Sequence, residues 1–91
     1  MGPKKFRKKA VVIEAMQFNG TNYDAVVDWV RAGGVEIKLA GTRIDPETLG
    51  LVVSNETGDG RVSANDWVIK GVKGEFYPCK PDIFAETYEE V

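Results

Sequence analysis

The spacing of apolar residues predicts one amphipathic helix in the first third of the chain. The apolar positions recur three and four residues apart, at Tyr23, Val26, Val27 and Val30. This spacing places them along one face of an α-helix. The preceding residues, 19–22 (NGTN), form a turn and supply candidates for the N-cap, and Gly33 and Gly34 are able to end the helix. We therefore predict a helix from about residue 23 to the glycine pair, with its apolar face packed on a sheet.

Other segments have the patterns of strands. Residues 10–18 (AVVIEAMQF) and 51–53 are rich in β-branched and apolar residues, and residues 35–40 alternate between apolar and charged side chains. Residues 87–91 are a candidate final strand, which we predict to pair beside residues 10–18. That pairing would bring the basic and acidic ends of the chain together. Residues 45–46 (Asp-Pro) and 55–60 (NETGDG) are predicted to lie in loops.

The last third of the chain predicts a β-hairpin. Residues 67–70 and 75–79 are the two strands, joined by Gly71-Val72-Lys73-Gly74, in which glycine supplies the positive φ that tight hairpin loops need. Pro78 lacks an amide donor, so the second strand is expected at a sheet edge. Pro81 is suited to the first position of a helix and predicts a single helical turn there.

Together these elements predict an α+β fold. We expect a small, mostly antiparallel sheet of about four or five strands, with one main helix packed on one face. Residues 1–9 are predicted to form a basic N-terminal arm, and residues 10–91 a single domain.

Charge is distributed unevenly along this chain, whose net charge is only −2. Five cations stand at one end, at Lys4, Lys5, Arg7, Lys8 and Lys9. Such a cluster is able to hold nucleic-acid phosphates with salt-dependent affinity. A solvated arm, or an arm that pairs with the acidic C-terminal residues, also accounts for the cluster and is the preferred interpretation. Nucleic-acid binding is therefore an alternative function.

The residue types present argue against common enzyme chemistry. The sequence contains no histidine, so it lacks the usual general base, the usual activator of a nucleophile and an imidazole metal ligand. Cys79 is expected to be a small, at least half-buried apolar residue rather than a nucleophile. We expect no enzymatic activity, no cofactor and no metal. A single cysteine without secretory or membrane-spanning segments favours the cytoplasm.

Three lysines surround one tyrosine in the hairpin region, and they are the candidate binding surface. Lys70, Lys73 and Lys80 would place cations around a small anionic ligand, and Tyr77 would supply a stacking plane. The alternative is that the aromatic residues fill the core and the lysines are only solvated.

Several segments of the chain resemble one known family. Residues 65–71 (NDWVIKG), residues 74–78 (GEFYP), Phe84, Tyr88 and the N-terminal run KKFRKKAVVIEA are similar to the PGDYG-like small proteins of tailed bacteriophages and prophages. Ala64-Asn65 and Trp67 replace the family's Pro-Gly and Tyr, which keeps a turn and an aromatic residue. The resemblance covers about half of the chain.

The family resemblance implies a phage accessory protein of uncharacterised function, without known catalytic residues. We therefore expect a non-enzymatic module that binds a host or phage protein or a small ligand in the host cytoplasm. A small virion or assembly component is a further alternative, for which a homo-oligomer would be the first sign.

Overall fold

The described part of the chain folds into six β-strands and two α-helices. The computed structural model describes residues 2–7, 9–40, 50–55 and 58–91. In chain order the elements are β1 (Glu14–Gln17), α1 (Tyr23–Ala32), β2 (Ile37–Ala40), β3 (Gly50–Asn55), β4 (Gly58–Val62), β5 (Trp67–Lys70), β6 (Phe76–Cys79) and α2 (Pro81–Thr87). The turn predicted at residues 45–46 lies outside the described residues.

The predicted helix is present as α1, and its apolar stripe faces the core. Val26 and Val30 are fully buried, and Tyr23 and Val27 pack against the core with partial exposure. The helix ends at the glycine pair, where Gly34 takes a φ of 81° that side chains disfavour. The spacing of apolar residues therefore predicted this helix correctly.

The first sheet has the order β1-β5-β6, and all its pairs are antiparallel. β1 is shorter than the predicted strand, because its pairing with β5 ends where Glu14 faces Lys70. Beyond that pair β5 enters its hairpin loop, so the sheet offers residues 10–13 no partner strand. Val11 and Val12 are accordingly exposed.

The β5–β6 hairpin has the predicted form. The N–H of Gly71 donates to the carbonyl of Glu75 at 2.7 Å, and the N–H of Gly74 donates to the carbonyl of Gly71 at 3.0 Å. Gly74 has a φ of 85°, the left-handed conformation that three-residue hairpin loops place at their last position. β6 is an edge strand of its sheet, as the missing amide donor of Pro78 predicted.

The second sheet has the order β2-β3-β4 and is also antiparallel. The prediction of a loop at residues 55–60 is wrong for residue 55, which ends β3, and for residues 58–60, which belong to β4. The sequence GDGRV is poor in strand-forming residues, but pairing along β3 satisfies its backbone. β6 lies against β3 and β4, so the two sheets share one core.

The C-terminal segment differs from its prediction. Pro81 begins a helix of seven residues, longer than the single turn expected, and this helix ends at Thr87. The prediction of a strand at residues 87–91 beside residues 10–18 is wrong. The described pairing of β1 is with β5, and residues 88–91 are not in a strand. The reason is the docking of α2 on the sheet, described below.

The core is formed jointly by α1 and the two sheets. Its buried residues are Phe18, Val26, Val30, Ile37, Leu51, Val53, Val62, Val68 and Phe76. The ring of Trp29 contacts that of Phe76 edge to face, with centroids 5.2 Å apart. The α+β class is confirmed. The prediction of one sheet with four or five strands matches only roughly, because six described strands are divided between two sheets.

Candidate functional site

An aromatic surface lies on the face of the first sheet that points away from the core. Trp67 faces Cys79 across the β5–β6 pair, and Ile69 faces Tyr77. Directly opposite residues share a face, and so do alternate residues along a strand. Ile69 is only 1% exposed, although it does not belong to the main core cluster. A second, smaller apolar layer therefore exists on this face.

α2 covers this layer and extends the aromatic surface. The rings of Trp67 and Phe84 are stacked, with centroids 4.1 Å apart and planes within 5°. The ring of Tyr88, one turn further along the chain, lies 5.0 Å from that of Phe84. None of the residues of α2 is fully buried, and the stack of Phe84 on Trp67 joins the helix to β5. We call Trp67, Tyr77, Phe84 and Tyr88 the aromatic row.

Tyr77 joins the aromatic row through a hydrogen bond. Burial, and then its hydrogen bond with the Tyr88 side chain, raise the pKa of Tyr77 to about 12. The nearby charge of Glu75 acts in the same direction. Tyr77 is therefore a neutral phenol at physiological pH, able to bond and stack but not to act as a base.

The aromatic row lines an open groove of about 1070 Å³. Residues 9–16 and residues 87–91 border the groove, and Trp29 and the β5–β6 loop complete its lining. Lys9 and the acidic C-terminal residues Glu89 and Glu90 thus line the same groove, although no strand pairing joins the two ends. Apolar and aromatic walls with a few polar groups are features that binding sites share.

The charge of the groove is mainly negative. Its lining contains four carboxylates, at Glu14, Glu75, Glu89 and Glu90, and one ammonium, at Lys9. The Oε2 atom of Glu75 is buried and has no hydrogen-bond partner among the described residues. A buried carboxylate oxygen without a partner is costly, and a bound donor would relieve that cost. The groove therefore favours cationic groups over anions.

The structure does not bring the four predicted site residues together. Lys70 faces Phe76, on the opposite face of the sheet from Tyr77, and its Nζ lies 5.9 Å from the centroid of the Phe76 ring. Lys73 is exposed in the hairpin loop. Lys80 follows the far end of β6, roughly 10 Å along the strand from the loop. Of the four, Tyr77 lines the groove.

Lys80 instead forms an ion pair with a buried carboxylate. Its Nζ lies 3.1 Å from Oδ2 and 3.4 Å from Oδ1 of Asp66, whose side chain is 3% exposed. The same carboxylate accepts a hydrogen bond from the N–H of Ser63 at 2.9 Å. Asp66 therefore ties the turn before β5 to the end of β6, which gives Lys80 a structural role.

Cys79 does not have the environment of a reactive thiol. Burial raises the pKa of the Cys79 thiol, and the carboxylates of Asp66 and Asp82 raise it further. A raised pKa disfavours the thiolate, which is the nucleophilic form. Lys80 does not offset this effect. The prediction of a partly buried thiol is confirmed.

The basic arm is exposed where the structure describes it. Lys4, Lys5, Arg7 and Lys9 are exposed and belong to no helix or strand, and Lys8 lies outside the described residues. Phe6, between these cations, is 90% exposed.

Neither described helix has the length and apolarity needed to cross a membrane. No group of three or more acidic or cysteine side chains is placed to hold a metal ion within the described ranges.

Comparison of the chain with protein-family models, with curated proteins and with solved structures found no match.

Reasoning from sequence missed the groove because its lining comes from separate parts of the chain. One local signal was present: Phe84 and Tyr88 are four residues apart, a spacing that brings side chains together at a helix end. The prediction of a strand at residues 87–91 obscured that signal.

Proposed function

We propose that this protein is a non-enzymatic binding module that holds its ligand or protein partner in the groove beside the aromatic row. The observation that carries the proposal is the set of ring surfaces outside the main core. Tyr77 and Tyr88 present hydroxyl groups at the end of a stacked pair, Trp67 and Phe84. Aromatic side chains with a polar end are typical of binding surfaces.

The absence of histidine from the sequence supports a non-enzymatic role, as does the raised pKa of the Cys79 thiol. The raised pKa of Tyr77 also argues against proton transfer by this phenol near neutral pH. The residues of the groove are suited to recognition rather than to chemistry.

The biological setting in this proposal rests on the family resemblance. Residues 65–71 and 74–78 resemble the PGDYG-like phage proteins, so we propose an accessory protein of a tailed bacteriophage that acts in the host cytoplasm. The proposed binding surface is the groove. It includes Tyr77 from the surface predicted from sequence, but not the three lysines of that surface. The negative charge of the groove argues against the small anionic ligand that the lysines suggested.

Native mass spectrometry of protein from infected or expressing cells tests this function. A species bound to the wild-type chain should be lost from Tyr88→Ala, because Tyr88 lines the groove. It should be kept by Ile83→Ala, since Ile83 lies on α2, is 53% exposed and does not line the groove. Equal retention by the two variants, or a wild-type chain that carries nothing from infected cells, would contradict the proposal.

Nucleic-acid binding by the basic arm is the second candidate function. The observation that favours it is the exposure of Lys4, Lys5, Arg7 and Lys9 in one unpaired segment. Five neutralised phosphates would make log K for single strands fall with log salt at a slope of roughly −3.5. Fluorescence anisotropy with labelled DNA and RNA measures this slope. The absence of binding at low salt would exclude the function.

A further inference from the structure

The groove and the arm have opposite charges. Four carboxylates and one ammonium line the groove, and the buried Oε2 of Glu75 lacks a donor among the described residues. The arm carries five cations, and the sequence contains no acidic residue before Glu14. At the separations of ion pairs, opposite charges near a protein surface attract each other.

The arm and the groove also match in apolar character. Phe6 is 90% exposed, which leaves a large apolar side chain without a packing partner. The rings of the aromatic row line the groove, and aromatic rings interact favourably both with another ring and with the cations beside it. A Phe flanked by Lys and Arg therefore has the chemistry that the groove accepts.

The arm is poorly placed to enter the groove of its own copy. Residues 9–16 already form one border of the groove, and residues 2–7 are not among the residues that line it. To return, the chain would have to reverse direction tightly just before this border. Residues 4–13 contain no glycine, proline, asparagine or aspartate, the residues that favour tight turns, and residues 11–13 are β-branched and stiff.

We propose that residues 2–7 of the basic arm of one copy occupy the groove of a second copy, and that the exchange is reciprocal. The arm's cations meet the groove carboxylates, and Phe6 packs on the aromatic row of the partner copy. Such an interface is two-fold symmetric and closed, which makes the product a dimer. The inference rests on the proposed role of the groove as a binding site and names its partner as this chain itself.

A charge exchange between two variants tests the dimer. Glu89→Lys with Glu90→Lys changes the side-chain charge of the groove lining from −3 to +1. Lys4→Glu, Lys5→Glu and Arg7→Glu together change that of the arm from +5 to −1. Each variant alone should dimerise at least tenfold more weakly than wild type in sedimentation equilibrium at low salt. An equimolar mixture of the two variants should regain the dimer. In the mixed dimer, the wild-type arm meets the wild-type groove, and the charge-reversed arm meets the charge-reversed groove.

Matched controls separate this effect from the loss of net negative charge and from unfolding. Asp24→Lys with Asp28→Lys makes the same change of charge on the exposed side of α1, away from the groove, and should leave the dimer intact. Circular dichroism establishes that each variant is folded. A wild-type chain that is monomeric at low salt, or a mixture that fails to regain dimer, would overturn the proposal.

Photo-crosslinking locates the arm directly. A photoreactive phenylalanine analogue at position 6, in a mixture of ¹⁴N-labelled and ¹⁵N-labelled protein, should give mixed-isotope crosslinks to groove residues such as Tyr88. Crosslinks within one copy, or to surfaces outside the groove, would contradict the exchange. The wild-type chain could instead stay monomeric and bind another ligand that Tyr88→Ala does not bind. That result would reject the arm as the partner, but it would support the proposed function of the groove.

Discussion

Removal of the Phe84 ring should release α2 from the sheet without unfolding the protein. α2 has seven residues and none of them is fully buried, while an isolated helix of this length is not stable in water. Its attachment therefore depends on the stack of Phe84 on Trp67, at 4.1 Å, and on the contact of Phe84 with Tyr88. Phe84→Ala removes both contacts.

The magnitude follows from the burial of the ring. Truncation of a fully buried Phe to Ala costs about 3–5 kcal/mol, and Phe84 is only partly buried, so we expect about 2 kcal/mol. This cost should appear as local opening, since the core of α1 and the two sheets does not include Phe84. An opening equilibrium shifted by 2 kcal/mol corresponds to roughly a 30-fold faster exchange of protected amides.

Hydrogen exchange measured by NMR tests this prediction. The amide of residue 84, which donates to the Lys80 carbonyl, and that of Tyr88, which donates to the residue 84 carbonyl, should exchange faster in the variant. Amides of α1 should be unchanged. Ile83→Ala is the matched control, because Ile83 is 53% exposed on the same helix and its change to Ala raises helix propensity by an amount similar to that of Phe84→Ala.

Two results would refute this reasoning. Unchanged exchange in α2 would mean that the aromatic contacts do not hold the helix. An equal acceleration in α1 and α2 would mean that α2 unfolds only together with the core.

Three further predictions concern the support of the site. Gly60→Ala should destabilise the fold by about 1–3 kcal/mol in urea unfolding, because its Cβ would lie 2.7 Å from Cδ of Pro78; an unchanged midpoint would contradict this packing. Lys80→Met should cost about 1 kcal/mol, since it keeps the apolar stem but leaves buried Asp66 without its cation; equal stability of variant and wild type would argue against the ion pair. Tyr77, with its pKa raised to about 12, should be protonated in both the folded and the unfolded chain below about pH 10. The free energy of unfolding should fall as pH rises from there toward 12, because the unfolded chain loses the phenol proton first. An ultraviolet absorbance titration in which all tyrosines ionise near pH 10 would contradict that last prediction.

The separation of the predicted lysine cluster shows a limit of local reasoning. Lys70, Lys73 and Lys80 are close in sequence to Tyr77, but alternation along a strand places Lys70 and Tyr77 on opposite faces. Lys80 is engaged by Asp66, a residue fourteen positions earlier whose burial depends on the packing of the whole turn. Closeness in sequence did not become closeness in space.

The sequence alone determined the elements whose causes are local. The apolar stripe and terminal glycines of α1, the glycine loop of the β5–β6 hairpin, the edge position of Pro78 and the helix start at Pro81 each follow from the residues within one element. Backbone preferences and side-chain periodicity act over a few residues, so they are legible without the fold.

Only the tertiary structure decided which elements meet. β1 pairs with β5 rather than with residues 87–91, residues 58–60 join a strand despite their composition, and the groove gathers residues from both ends of the chain. Each outcome depends on competition among distant partners for the same backbone groups and apolar surfaces. The pattern of a single segment contains no information about which of those partners buries more surface.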